Sequence, residues 1–86
     1  MRTIYKYQIV FGKFNVWLPK DHKIIKVDYQ KDMGPYFWAL INQDSPQSGY
    51  TFEVLGTGQS IPNNYIYAGT WQEPPFVWHL FQEELA

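Results

Sequence analysis

Between Gly34-Pro35 and the polar stretch from Asn42 to Pro46, six residues in a row carry no charge: Tyr36-Phe37-Trp38-Ala39-Leu40-Ile41. A strand with one face in water alternates apolar and polar residues, whereas a strand covered on both faces need not. The punctuation at each end holds the run to strand length rather than helix length. The run predicts the central strand of an all-β domain, covered on both faces.

Other runs join it. Thr3 to Val10 alternates, with Tyr5, Tyr7 and Ile9 on one face and Lys6 and Gln8 on the other. Gly12-Lys13 reads as a tight hairpin turn into Phe14 to Leu18, which Pro19 stops. Ile24 to Gln30 places Ile25, Val27 and Tyr29 opposite Lys26, Asp28 and Gln30. Its short connection, Lys31 to Gly34, predicts a hairpin with the central run. Asn42 to Gly49 is expected to be a loop with a mobile tip. Tyr50 to Leu55, Tyr65 to Gln72 and Phe76 to Phe81 complete seven short strands. Gly69 predicts a bulge or a close backbone approach, and Gln82 to Ala86 are expected to fray or turn briefly helical. Strands at roughly ten-residue intervals without an amphipathic helix predict a single antiparallel β-sandwich or small barrel over residues 1–86.

The 86 residues hold one core and no cysteine, so disulfides and thiolate metal sites are excluded. His22 and His79 share no ligand spacing, and no metal or cofactor is expected. A net charge of −1 argues against duplex nucleic acid as a partner. All seven basic residues nevertheless fall in the first 31 positions. That asymmetry predicts either pairing with the late acids, within or between subunits, or a solvated face. No apolar segment is long enough to span a membrane, and the first residues lack a signal-peptide core. Four Trp, seven Tyr and six Phe are more ring surface than so small a core is expected to hide, which predicts self-association or a binding surface.

Chemistry has few places to sit. Gly56-Thr57-Gly58 follows a strand, and its N–H groups can form an anion nest, or the segment can be a plain turn. His79 between Trp78 and Leu80 reads as a core or interface histidine with one hydrogen bond. No nucleophile elbow or carboxylate pair is visible, so an enzyme is not expected and no catalytic residue is assigned. Tyr7, Trp17, Trp71 or Trp78 can stack a purine, and Arg2, Lys20 or Lys23 can hold a phosphate. The predicted ligand site combines Lys20, Lys23, Gly56, Thr57, Gly58, Gln59 and Trp71. In it, residues 56–58 cup a phosphate, the lysines neutralise it, Gln59 reads a base edge and Trp71 stacks.

Thr3-Ile4-Tyr5-Lys6-Tyr7, Leu18-Pro19-Lys20, Trp38-Ala39-Leu40, Gly56-Thr57-Gly58 with Ile61-Pro62, Tyr67-Ala68-Gly69-Thr70 and Val77-Trp78-His79-Leu80-Phe81 occur in that order. The set resembles a family of small proteins encoded by bacteriophages and prophages. A His often follows the glycine-threonine-glycine there, and Gln59 stands in its place here. The resemblance implies phage origin and a host bacterial cytoplasm. Together with the aromatic surplus, it leads to the expectation of an oligomeric, non-enzymatic counter-defence protein. Such a protein would sequester a nucleotide-derived immune signal, a cyclic nucleotide or an ADP-ribose-type molecule. Docking on a host or phage protein through an aromatic patch, as an inhibitor or accessory factor, is the alternative, and a virion component is the third.

Overall fold

A computed structural model describes residues 1–84. It contains β1 (Arg2–Gln8), β2 (Lys13–Pro19), β3 (Lys23–Gln30), β4 (Gly34–Asn42), β5 (Gln47–Gly56), β6 (Tyr65–Glu73) and β7 (Phe76–Glu83). Every pairing is antiparallel, in a three-stranded sheet of order β1-β4-β3 and a four-stranded sheet of order β2-β5-β7-β6. The chain is thus an all-β sandwich, and no helix among the described residues is long and apolar enough to cross a membrane.

The sheets are joined by a column of rings. Tyr7 stacks on Phe37 at 5.1 Å between centroids, Phe37 meets Phe52 of the other sheet at 5.2 Å, and Phe14 stacks on Phe52 at 5.7 Å. Leu18, Ala39, Ile41, Val54, Trp71 and Leu80 fill the core around it. Burial pushes the Tyr7 phenol above its ordinary pKa, with Tyr5 adding to the effect. Tyr7 is therefore part of the packed interior, not a platform for a ligand.

The central strand of the three-stranded sheet is β4, as its composition predicts, but only one of its faces is covered by the other sheet. Pro35, Phe37, Ala39 and Ile41 are buried, whereas Tyr36, Trp38 and Leu40 on the outer face are half-buried. An uncharged run survives there because neighbouring strands lay long side chains over it. The expected β1–β2 hairpin does not form. Ile9 N–H continues the ladder to Pro35 O at 3.0 Å, after which Gly12, at φ 84°, turns the chain into the other sheet. The β3–β4 hairpin does form, with Gln30 opposite Gly34.

Three further expectations are corrected. A bulge at Ile25 turns Ile24 and Val27 inward and leaves Ile25 exposed, so β3 does not alternate throughout. The loop after β4 shrinks to Gln43–Pro46 because β2 supplies partners for Gln47, Ser48 and Gly49. Its tip is also tied down, by Gln43 N–H to Met1 O at 2.8 Å and Ser45 N–H to Asn42 O at 3.1 Å. Gln82 and Glu83 belong to β7 rather than to a frayed tail, and the rest of that expectation, beyond Glu84, lies outside the described residues.

Gly69 meets both of its expectations. The β6–β7 register shifts between Tyr67 and Gly69, and a Cβ at Gly69 would lie 2.3 Å from Val27 Cγ2 on β3. Only hydrogen fits where the edges of the two sheets meet.

Candidate functional site

The predicted ligand residues do not converge. Lys20 N–H bonds Pro46 O at the start of β5, and Pro19 pairs with Gln47. Gly56 ends the same strand nine residue steps after Gln47, so the lysine and the glycine turn are about 30 Å apart. Lys23 opens β3 in the other sheet, opposite Leu40. Trp71 is 3% exposed and packs edge-on with Phe11 at 6.1 Å, so its ring offers no face to a solvent ligand.

Gly56 to Gln59 form a turn closed by Gln59 N–H to Gly56 O at 3.1 Å. Gly58 at φ 93° supplies the positive dihedral that the third position of a type II turn requires. Gln59 Oε1 accepts from Gly56 N–H, which commits the side chain expected to read a base. Two of the four N–H groups of the turn are thereby used inside it. Gly56 is needed because the Trp78 ring lies over it, 3.3 Å from where a Cβ would stand. Beside the turn, Pro75, Phe76, Val77 and Trp78 line a shallow hollow without a charged wall.

The outer face of the four-stranded sheet is a closed polar network. Both ring nitrogens of His79 bond hydroxyls, Nε2 with Thr57 Oγ1 and Nδ1 with Thr70 Oγ1, each at 2.9 Å. The histidine thus has two partners rather than the expected one. Thr70 in turn bonds the Tyr67 hydroxyl. Tyr65 O–H donates to Glu53 Oε1, and that bond, with partial burial, pushes the phenol pKa up to about 12. Tyr65 and Tyr67 both pack on Phe81, which is 9% exposed although it faces outward.

The outer face of the β1-β4-β3 sheet differs. Tyr36 and Trp38 project from its middle strand. Lys6 and Lys26, on the two flanking strands, are both in register with Trp38. Lys6 Nζ sits over the Tyr36 ring, 4.7 Å from its centroid, and Lys26 Nζ sits over Trp38 at 5.4 Å. Arg2, opposite Asn42, and Lys23, opposite Leu40, extend the basic surface along the same face. One carboxylate, Asp28, faces it and lies 3.6 Å from Lys26. Lys6 instead donates to the neutral Gln30 Oε1 at 3.1 Å. Of the two readings of the charge asymmetry, the structure adopts the exposed face. No lysine or arginine forms a salt bridge with the late acids among the described residues.

Four basic side chains around two half-covered rings can bind a ligand that carries both an anion and a flat ring. Sequence reading singled out Arg2 and Lys23 but missed Lys6, Lys26, Tyr36 and Trp38. Their signal was faint: the lysines alternate outward along β1 and β3, but nothing local says that those strands flank β4. Among the described residues no His, Cys, Asp and Glu side chains cluster as metal ligands do. Comparison with curated proteins and with solved structures returns no match. The family model described as a domain of unknown function (DUF7352) matches residues 1–86, and the chain belongs to that family.

Proposed function

We propose that this chain is a non-catalytic binding domain that takes a nucleotide-type ligand, base and phosphate together, on the outer face of the β1-β4-β3 sheet. One observation carries the reading: ammonium groups lie over the Tyr36 and Trp38 rings with no more than one carboxylate beside them. An exposed cation–π contact is worth about 0.5–1 kcal/mol, whereas stacking a base on an aromatic side chain is worth about 1–3 kcal/mol. A base therefore displaces the ammonium at a net gain, and the freed lysine turns to the phosphate. Capture without chemistry is what sequestration of a nucleotide-derived immune signal requires. The resemblance to phage-encoded proteins supports counter-defence as the setting, with a cyclic nucleotide or ADP-ribose as the class of signal.

Titrating the protein with ADP-ribose, a cyclic dinucleotide and adenosine monophosphate while following tryptophan emission tests the proposal. Saturable quenching that weakens with added salt is expected, and a flat response to all three at millimolar concentration refutes it. A second reading, docking on a host or phage protein, is favoured by Trp17. That ring is 68% exposed and stands opposite Gly49, which has no side chain to cover it. Stoichiometric capture of one protein by the parent chain and not by Trp17→Ser would select it.

A further inference from the structure

The two rings of the basic face lie on one strand, two residues apart and on the same side. Their Cα atoms are therefore separated by about 6.6 Å. Neighbouring bases stacked in a nucleic-acid strand are about 3.4 Å apart. A stacked pair cannot place one base on each ring, but two splayed bases can, as happens when single strands are read on aromatic platforms. Each ring also has its own ammonium, Lys6 over Tyr36 and Lys26 over Trp38. Both lysines are rooted beside Trp38, one on either flank. A phosphate that links the two bases falls within reach of both.

From this spacing we infer that the face holds a dinucleotide unit: two unstacked bases, one on Tyr36 and one on Trp38, joined through a phosphate gripped by Lys6 and Lys26. The inference rests on the nucleotide-binding reading above and adds the count and arrangement of bases. Asp28, in register with Tyr36, gives the site its polarity. A carboxylate there repels a second phosphate and accepts from the exocyclic amino group of the base on Tyr36. The chemistry is shared by a free cyclic dinucleotide and by a stretch of single strand.

The test measures affinities for adenosine monophosphate, linear diadenylate, cyclic diadenylate and a longer oligoadenylate on the parent chain, Tyr36→Leu and Trp38→Leu. Leucine keeps apolar cover over β4, and circular dichroism verifies that each variant folds. Linear diadenylate is expected to bind about 5- to 150-fold tighter than the monophosphate, the factor one more stacked base provides. Tyr36→Leu should reduce diadenylate to the affinity of the monophosphate and leave the monophosphate unchanged. Equal affinities for the two, with Tyr36→Leu without effect on either, overturn the dinucleotide inference while the nucleotide reading stands. No binding by any of the four probes removes the reading itself. Given the two-base step, cyclic diadenylate matching the linear form identifies a free signal as the source. Further tightening with oligoadenylate, together with a steeper salt dependence, identifies a strand.

Discussion

The two outward faces of this sandwich start from similar material and put it to different use. On the β2-β5-β7-β6 face, tyrosines, threonines and a histidine are bonded to one another, and Glu53 is held by Tyr65. On the β1-β4-β3 face, the rings are topped by lysines, and Lys6 has a neutral amide as its hydrogen-bond partner. The first face has its polar groups matched internally, so a ligand would have to outcompete bonds already made. The second carries charge that no residue of the chain neutralises in full. Recognition belongs where the fold leaves polar groups unmatched, and a dense cluster of polar side chains is a poor guide to it.

Both faces depend on the seam that holds the sheets in place, so the largest effect is expected on neither face. Gly69→Ala forces a methyl group into Val27, 2.3 Å away, and should cost about 1–3 kcal/mol in urea unfolding. Val27→Ala in the same chain should recover part of the loss. An unchanged midpoint for Gly69→Ala would show that the sheets can slide apart freely, and the contrast between fixed faces would lose its frame. Next comes the double charge reversal of Lys6 and Lys26 to Glu. It should weaken nucleotide binding by at least about tenfold and move stability by no more than about 0.5 kcal/mol. Retained affinity would place the ligand elsewhere.

On the other face the signs exchange. Tyr65→Phe removes the bond to Glu53 and should lower stability by about 0.5–1.5 kcal/mol without touching ligand affinity. The same residue makes a pH signature. Its phenol is raised from 10.0 to about 12 in the folded chain, so folding favours the protonated form. That contribution is complete below pH 10 and disappears as pH rises toward 12. Absorbance titration should show one late-ionising tyrosine that is missing from Tyr65→Phe, and its persistence there would reassign the shift. The smallest effect is expected from Thr51→Val, which breaks an exposed bond to Asn15 Oδ1 of 2.8 Å. A change beyond about 0.5 kcal/mol would mean that the network is more cooperative than its pairs.

The strands were legible because alternation and Gly/Pro punctuation are local signals. Positions of all seven, the bulge at Gly69 and the β3–β4 hairpin follow from them. What failed was partner choice. Gly12-Lys13 looks like a hairpin, yet β1 joins β4 and β2 joins β5, pairings decided by burying Tyr7 on Phe37 and Phe14 on Phe52. The same failure scattered the predicted ligand residues. Gly56 and Lys20 can be assigned to one site only if the direction of β2 against β5 is ignored, and that direction separates them by the length of a strand. Trp71 and Trp38 are alike to a composition count, but one is 3% exposed and the other half-buried under Lys26. Short runs of residues do not encode which aromatic is interior when every strand carries one.

Lys6 starts on β1, crosses above Tyr36 of β4 and ends at Gln30 of β3. With Lys26 doing likewise over Trp38, what one molecule shows to an identical neighbour here is repelling charge, not adhesive ring. Neutralising those amines, by acetylation for example, would do more than weaken capture of an anion. It would strip the shield from the sheet and turn a surface that keeps copies apart into one that draws them together.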